Sequence, residues 1–171
     1  GYRVVHQKTK GITYAYQEAL QHIETDVVIA FSPDGNSMAE RIPALVEKMA
    51  EGYDMVIVSR YKDDAKSDDD DFFTGIGNWV FTKMINVLFG GNYTDSLVMF
   101  RGFKRDLVKQ FPENIPRAGL ETLLSIRCAK LKLKVGEIPG DEPERIGGKR
   151  KMQPILNGLD ILRLIAIELF S

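Results

Sequence analysis

One cysteine in 171 residues removes any internal disulfide from consideration. Cys128 sits in a helical-looking run, residues 120–131, where a buried structural thiol is the simplest role, and such usage permits a reducing compartment. Histidine is nearly as scarce. His6 and His22 have no partner at ligand spacing, which argues against a histidine-based metal centre. A dominant charge is missing too: 23 Lys and Arg against 24 Asp and Glu leave a formal charge of −1. That balance gives no general attraction to nucleic acid or to an anionic membrane. No apolar run reaches the roughly 18–20 residues that span a bilayer. There is no internal repeat, and the one low-complexity patch, Asp68-Asp69-Asp70-Asp71, reads as a solvated, mobile loop.

What is present is ordinary for a globular domain, 44% apolar and 27% charged residues, and the length suits a single α/β domain over 1–171. Strand-like segments at 3–6, 27–31, 55–58, about 97–100 and 134–138 alternate with helical periodicity at 13–23, 38–51, 73–89, 120–131 and 154–170. That alternation predicts βαβ crossovers and a mainly parallel sheet flanked by helices. The chain opens at Gly1 without Met and enters its first strand-like segment at once, so a fragment lacking N-terminal strands is expected.

The most informative stretch is Val27-Val28-Ile29-Ala30-Phe31-Ser32-Pro33-Asp34-Gly35-Asn36. Short, apolar and bounded by Pro and Gly, it reads as a buried parallel strand running into a polar turn. Ligands bind at the carboxyl ends of such strands. Asp34 and Asn36 are therefore candidates to hold a hard divalent cation with oxygen ligands, a phosphate completing its shell. A plain tight turn before a helix N-cap explains the same residues. Arg60, just past the strand at 55–58, would face the same crevice and suits a phosphate, although a surface arginine fits as well. Asp95 precedes an apolar segment where burial would raise its pKa toward a general base, or it is a turn aspartate satisfying nearby amides. Arg145-Ile146-Gly147-Gly148-Lys149-Arg150-Lys151 sets four cations about two glycines, a composition that can wrap a diphosphate or simply be solvated. Glu121 opens a helix, where it complements the dipole.

In this order the segments resemble family-2 glycosyltransferases of the GT-A fold, in the dolichyl-phosphate-mannose-synthase-like group. Val56-Ile57-Val58-Ser59-Arg60 is similar to that family's strand ending in Gly-Ser-Arg. Asp95 through Phe100-Arg101 matches its Asp, three residues, Gly-Phe-Arg segment, with Met99 in place of Gly. Arg145, Gly148 and Lys151 match an Arg-x-x-Gly-x-Ser-Lys loop, with Arg150 in place of Ser, and residues 133–139 resemble the strand before it. Ser32 replaces the first aspartate of the family's Asp-x-Asp. The motifs of its first two strands, which grip base and ribose, do not occur.

The resemblance implies a GT-A-like, Rossmann-like nucleotide-sugar-binding architecture and an inverting transfer from a nucleotide-diphosphate sugar to a lipid-phosphate or saccharide acceptor. Asp34 would hold Mg2+ or Mn2+, while Arg60, Arg145 and Lys151 would stabilise the leaving diphosphate, with Asn36 and Glu121 also binding substrate. Asp95 would deprotonate or position the acceptor. A lid role for residues 68–71 is the lesser alternative there. In the helix 154–170, Asn157, Asp160, Arg163 and Glu168 share one polar stripe and apolar residues cover the rest. Such a helix would dock on absent N-terminal chain, pair with a second subunit or rest on a membrane. The expected placement is cytoplasmic, with peripheral contact at the inner membrane face. A catalytically inactive binding or scaffold module is the competing reading, supported by Ser32 and the absent motifs. A metal-dependent nucleotidyltransferase is weaker, because its Gly-rich phosphate loop is not visible.

Overall fold

The computed structural model describes residues 4–32, 34–110, 119–146 and 153–171. Five helices, α1 (Ile12–Leu20), α2 (Ile42–Ala50), α3 (Phe72–Phe89), α4 (Leu120–Lys130) and α5 (Pro154–Leu169), accompany four strands among these residues. The strands are β1 (Val27–Ala30), β2 (Met55–Ser59), β3 (Arg101–Lys104) and β4 (Val135–Pro139), in sheet order β1-β3-β2-β4. β2 and β4 pair in parallel, whereas β3 runs antiparallel to both β1 and β2.

The sheet is therefore mixed. Three strands share one direction, as helix–strand alternation predicts, but β3 enters between β1 and β2 with the opposite sense. β1 is correspondingly an edge strand among the described residues, antiparallel to its only neighbour there and half-buried, and not the buried parallel strand its composition suggests. Residues 4–6 form no strand: Val4 is 72% exposed and no ladder reaches it, while Arg3 lies outside the described residues. The strand expected near 97–100 starts four residues later, at Arg101. The carbonyls of Ser96 and Val98 turn to the Arg101 guanidinium and so leave the ladder.

β2 is the centre of the fold. Met55, Val56, Ile57 and Val58 are buried on both faces, which is what their unbroken apolar run requires. Alternation along β3 then assigns the helices to faces. Gly102 faces α2 so closely that a β-carbon there would lie 2.4 Å from Leu45 Cδ2, so any larger residue requires the Leu45 side chain to shift. Arg101, one residue earlier, faces α4 instead: its Nη1 donates to the Glu121 carbonyl and the Ser125 hydroxyl, both at 2.9 Å. α4 is buried nearly throughout, between the sheet and α3 and α5. Cys128 lies inside it as expected, and burial pushes its thiol up to about 12. α3 is capped by Asp71, whose side chain accepts from Thr74 N at 2.8 Å, and ends at Gly90 in the left-handed region.

The polar stripe expected on α5 loses one member. Glu168 is buried, taking Arg127 Nη2 at 2.8 Å and Lys130 Nζ at 3.5 Å from α4, because an acid facing two cations is better inside than the stripe pattern implies. At the opposite end of the sheet from the candidate site, Asp54 accepts Lys104 Nζ at 2.7 Å and Lys134 N at 2.9 Å. Burial pulls its carboxyl up, but the hydrogen bonds and charges of Lys104 and Lys134 together outweigh that and hold it below the usual range. A depressed pKa contributes stability that is present above the usual carboxylate range and lost as pH falls through the depressed value. Asp54→Asn should therefore lower the thermal midpoint by about 1–3 °C at pH 7. The two melting curves should converge once pH falls below the depressed value. Thermal melts across pH check both.

Candidate functional site

Because β1, β2 and β4 point the same way, the segments 31–36, 59–61 and 139–142 emerge on one side of the sheet. β3 runs oppositely, so the segment that feeds it, 93–100, arrives on that same side. Phe31 stands edge-on to Phe100 with ring centroids 5.1 Å apart, fixing the exit of β1 against this segment. Four chain segments converge where the carboxyl ends of an α/β sheet bind ligands.

Arg60 occupies the middle. Its backbone N and Nε donate to Asp95 Oδ2 at 3.3 and 2.7 Å, and Nη2 donates to Asp95 Oδ1 at 3.0 Å. Nη1 donates to Asp70 Oδ2 and to Glu142 Oε2, each at 3.1 Å. Burial draws the guanidinium's pKa down, but the charge and hydrogen bonds of Asp95, with Glu142, outweigh it and hold it well above its usual range. Asp95 itself is fully buried. Both of its oxygens accept from Arg60, which makes it that arginine's buried counter-ion.

The turn carrying Asp95 is held from β4. Glu137 accepts the amides of Thr94, at 2.9 and 3.1 Å, and of Asp95, at 3.3 Å. Burial raises the Glu137 carboxyl above its usual range despite these donors. Thr94 Oγ1 also shares a 2.6 Å hydrogen bond with Ser59 Oγ at the end of β2.

Glu142 joins three segments. Beyond Arg60, its Oε1 accepts Asn36 Nδ2 at 3.2 Å and its Oε2 accepts the Ser67 hydroxyl at 2.5 Å. Asn36 is buried and its Oδ1 has no partner among the described residues. That orphaned acceptor lies in a small cavity bounded by Arg60, Val98, Gly140 and Glu142. Asp34 is more open, with its Oδ1 accepting Ser32 Oγ at 2.7 Å and its Oδ2 4.0 Å from Arg145 Nη1.

Asp68–Asp71 is solvated only in part: Asp68 and Asp71 are exposed, whereas Asp69 and Asp70 turn inward. Asp69 takes Arg145 through Nε at 3.1 Å and Nη2 at 2.5 Å. Asp70, only 5% exposed, accepts from Arg60, from the Tyr61 hydroxyl and from Asn78 Nδ2 at 2.9 Å, while Asp71 caps α3. The basic groups it meets, Arg60 and Arg145, lie 10 and 76 residues away from their partners, so a reading confined to the four aspartates sees only repulsion.

The structure thus brings together Asp34, Asn36, Arg60, Asp95 and Arg145. Glu121 stands apart at the start of α4, where it accepts the Tyr16 hydroxyl of α1 at 2.9 Å. Burial, then the Glu121 charge, raises the Tyr16 phenol above its usual range. Lys151, with Gly148, lies outside the described residues. Sequence reasoning missed Glu142, Asp70, Tyr61, Asn78 and Glu137. A signal for Glu142 exists: it follows β4 by three residues, at the same strand end as Arg60 follows β2.

No group of three or more His, Cys, Asp or Glu side chains able to hold a metal occurs among the described residues. The donor set at the end of β1 still suits a hard cation in kind, because Asp34, Ser32 and the orphaned Asn36 oxygen are all oxygen ligands. With one carboxylate it fits as an anchor, water and phosphate supplying the remaining ligands.

A mixed sheet flanked by helices, with arginines and carboxylates at its strand ends, is an α/β architecture of the GT-A type. Residues 1–111 match the Glycosyl transferase family 2 model, and the chain belongs to that family. Glycosyltransferase AglJ of Haloferax volcanii is 27% identical over 99% of the chain and 55% of its own length. The dolichyl-phosphate hexose transferase of the same organism is 27% identical over 94% of the chain and 69% of its own length. In fold, the chain is similar to glucosyl-3-phosphoglycerate synthase from Mycobacterium tuberculosis in complex with UDP, with a TM-score of 0.68 and 16% identity over 95% of this chain and 56% of that one. The same enzyme with Mn2+, UDP and glucosyl-3-phosphoglycerate gives a TM-score of 0.63 at 20% identity, covering 95% of this chain and 55% of that one. The chain spans about half to two thirds of the length of these relatives.

Proposed function

We propose that this chain carries out sugar transfer from a nucleotide-diphosphate sugar to a lipid phosphate, with inversion at the sugar carbon. The observation that carries the reading is the convergence of Asp34, Asn36, Arg60 and Arg145 at the strand ends of a family-2 sheet. Support for the donor comes from the fold neighbour crystallised with Mn2+ and UDP. One relative is named for hexose transfer to dolichyl phosphate, which supports the acceptor class.

The acceptor reading has a structural support of its own. An apolar groove of about 370 Å³ runs between α3 and α5, lined by Phe73, Phe81, Leu97, Leu159 and Leu162. Asn78 also lines it and is bonded to Asp70 and Tyr61, so the groove opens one residue from the Arg60 cluster. Phe72, Phe73 and Trp79 on α3 and Ile155 and Leu156 on α5 are exposed around it. A phosphate end near the cluster with an apolar chain along the groove uses both, whereas a free saccharide uses neither apolar wall. No helix among the described residues is long and apolar enough to cross a membrane, so contact through these faces would be peripheral.

Within this reading Asp34, with Ser32 and Asn36, would hold the divalent ion. When bound, Mg2+ or Mn2+ neutralises the diphosphate and improves it as a leaving group. Arg145 supplies a guanidinium to the developing charge. Arg60 is already matched by Asp95, Asp70 and Glu142, so its part is to fix these segments relative to one another. Asp95 serves it as a positioning residue. A lipid phosphate is anionic before transfer and needs no strong base.

The test is product formation from UDP-glucose and GDP-mannose with polyprenyl phosphate, or with a free saccharide, followed by mass spectrometry. The expected result is a glycosylated lipid phosphate that falls at least tenfold in Asp34→Ala. Transfer to the saccharide alone would overturn the acceptor. An inert chain that still binds the lipid would favour the scaffold reading.

A further inference from the structure

Both described arginines of the site are held by carboxylates from one short segment. Residues 66–71 run beside 141–142 as a strap: Lys66 N donates to Asp141 Oδ1 and Glu142 N to the Lys66 carbonyl, both at 2.9 Å. Asp68 N donates to the Glu142 carbonyl at 2.8 Å, and Ser67 and Glu142 form a parallel bridge. From this strap Asp70 reaches Arg60 and Asp69 grips Arg145 with two donors, at 3.1 and 2.5 Å. A guanidinium offers that fork to a carboxylate or a phosphate, and not to both at once. Asp34, Asp69, Asp70, Asp95 and Glu142 together surround the two arginines. Among the described residues these five carboxylates outnumber the two arginines, and their excess negative charge opposes an incoming anion.

We infer that Asp69 is an internal competitor for Arg145, so that an anionic diphosphate must displace it to bind and in doing so releases the strap 66–71. The inference rests on reading the site as a donor-diphosphate site. Its structural consequence extends further. Asp71 caps α3, and Phe73 in the first turn lines the apolar groove, so strap release loosens the wall of the groove. Occupation of Arg145 by a diphosphate thereby links the donor side to the acceptor side.

The experiment compares the wild-type chain with Asp69→Asn, Asp69→Ala and the control Asp68→Asn, which removes an equal charge from the same run. Binding of UDP and GDP with Mn2+ is measured by calorimetry, and strap release by the rate of tryptic cleavage after Lys66. Removing the competitor should tighten binding about fivefold or more in both Asp69 variants. Asp68→Asn should stay within about twofold of wild type, since only general screening changes. The diphosphate should speed cleavage after Lys66 in wild type, and both Asp69 variants should be cleaved fast without it. Wild-type binding that does not tighten in the Asp69 variants, or a diphosphate that protects Lys66, overturns the inference and leaves the donor reading intact. Fast cleavage in the variants with no diphosphate bound by any chain overturns the donor reading, and the inference falls with it.

Discussion

Arg101→Leu is expected to cost about 4 kcal/mol of stability or more, the largest loss of any single substitution considered. Arg101 is fully buried, and burial lowers its pKa. Its hydrogen bonds go to the carbonyls of Ser96, Val98 and Glu121 and to Ser125 Oγ. Leucine fills most of the volume but takes the Arg101 donors from the buried Val98 carbonyl and leaves the Ser96 and Glu121 carbonyls to share the single Ser125 hydroxyl proton, at about 1–3 kcal/mol for each group left unsatisfied. The segment 96–98 would then lose the contacts that curl it and carry Asp95. Thermal and urea unfolding should show a midpoint lowered by about 10 °C or more, from roughly 2–4 °C per kcal/mol at this chain length. Arg101→Lys should recover only a small part, because one ammonium cannot span carbonyls on two sides. A leucine variant within about 1 kcal/mol of wild type would mean the carbonyls find other donors.

Asp95→Ala is expected to cost about 3–5 kcal/mol, for a different reason. Arg60 would keep its charge in a nearly closed site while losing the partner that binds both faces of its fork. Asp70 and Glu142 remain as counter-charges, each through Nη1 alone, so part of the cost is offset. The diagnostic comparison is a double-mutant cycle with Arg60→Met, which removes the stranded cation. A coupling of about 2 kcal/mol or more, measured by chemical unfolding, is expected for a direct buried pair. Additive losses would show that the two residues act independently. A transfer rate that falls no further than the folded fraction would support a positioning role for Asp95. A separate collapse of kcat in a folded Asp95→Asn would instead support its direct action on the acceptor.

The contrast between these two arginines marks how far sequence reaches. Elements with strong periodicity or unbroken apolar runs were legible: β2, β4 and α2 to α5 fall within a few residues of their predicted bounds. β3 was not, because Leu97-Val98-Met99-Phe100 has strand composition but the Ser96 and Val98 carbonyls turn to Arg101. The reversal of β3 was also hidden, since strand direction is set by long-range pairing and not by local pattern. At the site, Asp34, Arg60, Asp95 and Arg145 were legible as residues near strand ends. Their pairing was not. That Asp95 belongs to Arg60, and that Asp69 and Asp70 reach Arg145 and Arg60, depends on segments 10 to 76 residues apart meeting at one end of the sheet. Glu168 failed for the same reason, its partners Arg127 and Lys130 lying on another helix.

The most direct measurement is a calorimetric titration of UDP and GDP, with and without Mn2+, into this chain and its Asp34→Ala variant. One of the two nucleotides should bind in a metal-dependent manner, with affinity at least tenfold weaker in the variant. Binding that is indifferent to both Mn2+ and Asp34, or no binding of either nucleotide, would contradict a donor site at the end of β1.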